Sequence, residues 1–198
     1  MSNDDFLKSK RAFWLFCLLS AALWIIPFFI RIFLIDCDDI GLVPQPKETV
    51  QSEVHNIVTE IVRKIETGNR FSAFGVMFWN NFKVCIINMI GGVMLGIVTV
   101  FSLLQNGFFT ADAMINVYNS GMPINTIIKH TLPHSIELIG AWLSGAIGFS
   151  FAKSIIDFMR GKGMLTIQFL KFLGINAFVI LIITLIAAYL EVYVSMSF

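Results

Sequence analysis

Long apolar runs separated by short polar interruptions dominate the chain. The first run, Ala12 to Ile30, is long enough to cross a bilayer as a helix. Lys8, Lys10 and Arg11 precede it, which predicts an N-terminus on the cytoplasmic side. The run is too long for the core of a signal peptide, and no small-residue cleavage site follows it. Pro27 is expected to kink its far end, and Arg31 to reach toward the interface. A second span is predicted from Val76 to Leu104. A third begins at Pro133, a favoured first-turn residue, and a fourth occupies the apolar stretch from Met164 to Val194.

Two segments have a different texture. Residues 36–70 carry the acidic group Asp36, Asp38 and Asp39 and the loop prolines Pro44 and Pro46. From Lys47, helical spacing places Val50, Val54, Ile57, Val58, Ile61, Val62 and Ile65 on one face until Gly68. This predicts a short amphipathic helix, too polar to span, that caps the bundle, lies along the membrane surface or packs on a partner, with His55 on its solvated side. Residues 108–130 hold Asp112, Asn116, Asn119, Asn125, Gly121 and Pro123. They are too polar for an ordinary span and too apolar for a simple loop, and Gln105-Asn106-Gly107 before them predicts a helix break. Such a segment reads as a broken, membrane-embedded element buried by protein.

The predicted fold is therefore all-α, a polytopic transmembrane bundle of four strong spans plus the broken element. The organisation reads as 1–35 (N-terminus and first span), 36–75 (extracytoplasmic segment), 76–155 (membrane core) and 156–198 (basic loop and last span). If 108–130 does not cross, Lys153, Arg160 and Lys162 fall outside, against the positive-inside tendency. If it crosses once, there are five crossings, the basic loop lies with Lys8, Lys10 and Arg11, and the C-terminus lies outside. The second arrangement is the better one.

Composition sharpens the class. Of 198 residues, 57% are hydrophobic and 14% charged, more apolar surface than a soluble body of this size can hide. The net charge of +1 provides no basic field for nucleic acid. Cys17, Cys37 and Cys85 lack metal-ligand spacing and suggest no disulfide framework.

Candidate chemistry lies on two stripes. Asn81, Cys85, Asn88, Gly92, Gly96 and Thr99 recur every three or four residues along the second span. Gly92 and Gly96 suit close helix approach, and the asparagines suit hydrogen bonding across it. His134, Glu137, Ala141, Ser144 and Gly148 form a comparable stripe on the third span, narrowed further by Gly140 and Gly145. Three readings compete for His134 and Glu137: a helix–helix hydrogen-bond clamp, a proton or substrate contact in a transporter, and a metal or catalytic site. His130, His134 and Glu137 have ligand-like spacing, but Pro133 is expected to break the helix between the histidines. No nucleophile elbow or phosphate-binding loop is present, so neither catalysis nor a cofactor is expected. Glycine seams on both spans allow a homodimer.

The ordered set Asn80-Asn81, Gly92, Gly96, Asn106-Gly107, Pro133-His134-x-x-Glu137 and Ala141-x-x-x-Gly145-x-x-Gly148 resembles the stage II sporulation protein M family of multi-pass bacterial membrane proteins, over roughly residues 75–155. Where the family usually has glycine after the histidine, this chain has Ser135. The resemblance implies a subunit or scaffold in the bacterial inner (plasma) membrane, without enzymatic activity of its own. The namesake acts with two partner membrane proteins during engulfment in spore formation. Some relatives are encoded beside ABC-type ATPases, which implies as an alternative an exporter subunit whose path is lined by the His134/Glu137 stripe and segment 108–130. Asn81, Asn88 and Asn106 complete the expected intramembrane polar core. The implied partners are the lipid bilayer and other membrane proteins.

Overall fold

The computed structural model describes residues 3–33, 60–61, 63–119, 121, 124–162 and 166–194. The described chain is helical throughout. Its main elements are α1 (Asn3–Phe33), α2 (Arg70–Ile90), a 3-10 turn (Gly91–Met94), α3 (Ile97–Asn119), α4 (Ile124–Met159) and α5 (Ile167–Tyr193). Among the described residues, four stretches are long and apolar enough to cross a membrane: Leu7–Phe33, Arg70–Met94, Ser135–Met159 and Ile167–Tyr193. The all-α membrane bundle follows directly from the apolar runs.

Side-chain neighbours fix the directions of the helices. Ser20 lies against Gly145 and Phe16 against Phe149, so α1 and α4 are antiparallel. Leu103 also meets Gly145, Gly107 meets Trp24, and Asp112 meets Arg31, so α3 runs parallel to α1. Asn88 and Gly92 meet Gly148, and Cys85 meets Gly140, so α2 runs parallel to α4. Gly140 approaches Thr184, while Phe13 of α1 meets Phe172 at the start of α5. The five helices therefore alternate in direction. Lys10, which sits over the Phe172 ring, belongs to the end of the bundle where Lys153 and Arg160 close α4. This alternation matches the helix order of the five-crossing reading, with α3 as the additional helix beside the four that are long and apolar enough to span.

The boundaries of α3 differ from those expected for the broken element at 108–130. Residues 76–104 are not one span. The chain reverses at Gly91–Gly96, where Leu95 (φ 53°) and Gly96 (φ 82°) are both left-handed. The Leu95 and Gly96 N–H groups donate to the Gly91 carbonyl, and the Thr99 hydroxyl donates to the Asn88 carbonyl at 2.8 Å. The reversal thus satisfies much of its own backbone, as a turn in an apolar phase must. A Cβ on Gly91 would fall 2.6 Å from Thr99 Oγ1, so the doubling back requires glycine there.

Gln105-Asn106-Gly107 does not break the helix. Asn106 Nδ2 donates to the Ser102 carbonyl at 2.8 Å, and Thr110 Oγ1 donates to the Asn106 carbonyl at 2.8 Å. Both polar groups are absorbed within α3. Gly107 marks the crossing with α1, because a Cβ there would lie 2.3 Å from the Trp24 carbonyl oxygen. The interruption falls later, around Gly121 (φ 88°), between α3 and α4. Helix α4 starts at Ile124, nine residues before the expected Pro133, and runs through that proline. Helix α1 likewise continues past Pro27.

The main core joins Phe13, Cys85, Leu143, Ala146, Ile147, Phe169, Leu173 and Ile180. A second cluster at the opposite end joins Ile61 to Ala73, Met77, Ala188 and Val192, with Ile65 packed beside it. Ile61 and Ile65 are thus the part of the amphipathic face seen covering α2 and α5. The remainder of that face, His55 and Cys37 lie outside the described residues.

Candidate functional site

The inner face of α2 presents Asn81, Cys85 and Asn88 at helical spacing, all buried, and Gly92 follows in the turn. Opposite them, α4 presents Gly140, Ala141, Ser144 and Gly148. The backbones approach so closely that a Cβ on Gly92 would fall 2.1 Å from the Gly148 carbonyl oxygen. One on Gly148 would fall 2.2 Å from the Asn88 carbonyl oxygen. At such a seam polar side chains must be short and internally matched.

Asn88 provides the match. Its Nδ2 donates to Ser144 Oγ at 3.1 Å and to the Ala141 carbonyl at 3.5 Å, while Ser144 Oγ donates to that same carbonyl at 2.7 Å. Its own carbonyl receives the Thr99 hydroxyl. One residue, through its side-chain amide and its backbone carbonyl, therefore ties together α2, α4 and the start of α3. Removing the α3 tie by Thr99→Val should lower stability by about 1 kcal/mol, since the Asn88 carbonyl would remain buried without that donor. Denaturant-induced unfolding in micelles checks this, and an unchanged midpoint would exclude the tie.

Glu137 is half-buried one turn outward of Gly140 on α4. Asn81 is buried one turn outward of Cys85 on α2. Asn81 Nδ2 and Asn88 Oδ1 are buried and make no hydrogen bond among the described residues. The side chains of His130 and His134 lie outside the described residues.

The structure redistributes several expected members of the site. Asn106 bonds within α3 and is not part of the Asn81/Asn88 group. Gly96 lies in the reversal and faces Phe149 and Ala152, so Gly92 and Gly96 do not form one continuous helical stripe. Gly145 faces α1 instead of α2, where a Cβ would fall 2.5 Å from Ser20 Oγ. The α4 glycines therefore serve two seams, one on each side of the helix.

Sequence spacing missed one feature altogether. Arg31 Nε donates to Asp112 Oδ1 at 2.5 Å, joining the outward ends of α1 and α3. Arg31 does not simply reach for the interface. Its intramembrane-edge position and the lone acidic residue in a nearby apolar helix were the available signals.

Alternating apolar helices around a glycine-and-amide seam define a polytopic helical-bundle membrane protein. The chain belongs to the stage II sporulation protein M family, whose model matches residues 12–196, well beyond the core motifs at 75–155. It is 30% identical over 126 residues to an uncharacterized protein of Methanocaldococcus jannaschii, an alignment covering 62% of this chain and 70% of the relative. No solved structure matches the chain.

Proposed function

We propose that the protein is a non-enzymatic structural subunit of a larger complex in the cell membrane. One observation supports this most. The stripe best placed for chemistry is used to hold helices together, with Asn88, Ser144 and Thr99 bonded to one another or to neighbouring backbone across a seam only glycines can form. Backbone contact at Gly92 and Gly148 leaves little room for a solute between α2 and α4. The family's namesake likewise works alongside partner membrane proteins.

Extraction from the native membrane in polymer-bounded discs should yield this chain with another membrane polypeptide in fixed ratio. A monomeric particle that moves solute by itself in liposomes would overturn the reading.

An exporter subunit, energised by a separate ATPase, is the second reading. It is favoured by Asn81 Nδ2 and Asn88 Oδ1, a buried donor and a buried acceptor facing the seam. Proton-coupled flux in proteoliposomes, lost in Glu137→Gln, is the outcome that distinguishes it.

A further inference from the structure

The face of α2 turned away from the seam carries a feature that helix packing does not use. Lys83 is exposed on a membrane-spanning helix and makes no ion pair with any described residue. Its depth follows from its neighbours. Cys85 and Thr184 both flank Gly140, so Lys83, two residues outward of Cys85, lies about 7 Å inside the level of Glu191 near the end of α5. An ammonium exposed on a spanning helix short of its end is stabilised by an anion within reach.

The surface around Lys83 is a groove of about 620 Å³ lined by Glu60, Ser72, Gly75, Trp79, Asn80 and Lys83, with Phe71 and Val76 along its wall. It runs along α2 from Lys83 to Phe71, close to the N-terminal end of that helix. Helical side chains tilt toward the N-terminus of their helix, which for α2 is the surface end. The Lys83 side chain is thus directed along the groove, past Asn80 and Trp79. Gly75 forms a notch in the wall, since a Cβ there would meet nothing within 4 Å. Trp79 and Phe71 are strongly exposed, where aromatic rings favour the headgroup boundary. Glu60 stays ionised, its carboxyl held below the usual carboxylate range by Lys64, and the Lys64 ammonium at 2.8 Å offsets its charge at the mouth.

We propose that this groove binds the headgroup of an anionic glycerophospholipid, with the phosphate at Lys83 and Asn80 and the glycerol and upper acyl chains against Gly75, Val76 and Trp79. The lipid belongs to the leaflet opposite the end that carries Lys10, Lys153 and Arg160. A phosphate there supplies a counter-charge that no described residue provides by an ion pair. The exposed cation among Asn80, Ser72 and Trp79 suits an anionic headgroup better than the apolar face of a partner helix.

Native mass spectrometry of the intact protein in neutral detergent tests this with three probes: phosphatidylglycerol, diacylglycerol with the same chains, and inorganic phosphate. The wild type should retain one phosphatidylglycerol at about tenfold lower concentration than diacylglycerol, and Lys83→Gln should reduce that preference to about twofold. Gly75→Leu should fill the notch and also lower retention, and its open surroundings keep it a valid test if Lys83→Gln does not fold. Lys83→Arg should preserve the preference, as should Lys153→Gln at the other end of the bundle. The proposal is overturned if neither Lys83→Gln nor Gly75→Leu alters retention. Displacement of the lipid by equal concentrations of inorganic phosphate would reassign the groove to a free anion. Loss of a bound membrane protein in these variants, with lipid retention unchanged, would reassign it to a partner helix.

Discussion

Replacing Gly148 with alanine should destabilise the bundle by about 3 kcal/mol or more, the upper end of the range for overpacked sites. The added Cβ would lie 2.2 Å from the Asn88 carbonyl oxygen and 2.8 Å from Thr99 Oγ1. Neither obstacle is the free end of a flexible side chain. The first is backbone, and the second is held by its bond to that same carbonyl. Relief therefore requires α2 to move away from α4, which would also stretch the Asn88–Ser144 contact. Gly174→Ala is the matched control, because a Cβ on Gly174 meets nothing within 4 Å. There the higher helix propensity of alanine should leave stability unchanged or raise it by up to about 1 kcal/mol. Unfolding of both variants by a denaturing detergent in mixed micelles gives the comparison. Similar shifts for the two glycines would mean that the seam is looser than described.

The same seam shows what could be read from the residue order. Helix class and membrane placement were legible, because apolar runs of this length have few other stable arrangements. The stripe of Asn81, Cys85 and Asn88 was legible for a related reason: polar residues recurring at helical spacing in an apolar run must face protein. The reversal at Gly91–Gly96 was not. Hydropathy reports whether a segment suits an apolar surrounding, and Val93, Met94, Leu95 and Ile97 expose aliphatic side chains through the turn. The break consequently carries no polar mark. It is encoded in Gly91, Gly92 and Gly96, which look equally like a helix-packing motif until one of them is found in the left-handed region.

Gln105-Asn106-Gly107 misleads in the opposite direction. Its polarity suggests a loop, yet α3 continues because Asn106 and Thr110 bond back to their own helix and Gly107 admits the α1 backbone. Pro133 illustrates a further limit. A proline that would open a short helix is carried within α4, which extends 36 residues. Membrane helices tolerate such a residue when neighbours and local adjustments meet the freed backbone groups. Local signals of this kind rank possibilities, and packing partners distant in sequence select among them.

Arg31 and Asp112 are the strongest case of such distant selection, being 81 residues apart in the chain. Arg31→Met alone should cost about 1–3 kcal/mol, because it strands a partly buried carboxylate on α3 at its contact with α1. The figure lies below the 3–5 kcal/mol of a fully buried pair, since the Asp112 side chain is 38% exposed and solvent screens it, whereas that of Arg31 is 11% exposed. Asp112→Met should also destabilise, leaving the less accessible guanidinium without this partner. The double variant Arg31→Met/Asp112→Met should recover most of the loss, because two apolar side chains at a helix–helix contact need no mutual charge compensation. A double-mutant cycle in micelles measures the coupling. Additive losses would show that the pair contributes nothing jointly to holding α1 beside α3. A positive coupling would instead make this contact the specific link that sets the register of the two parallel helices, with Gly107 beneath Trp24 as its steric counterpart.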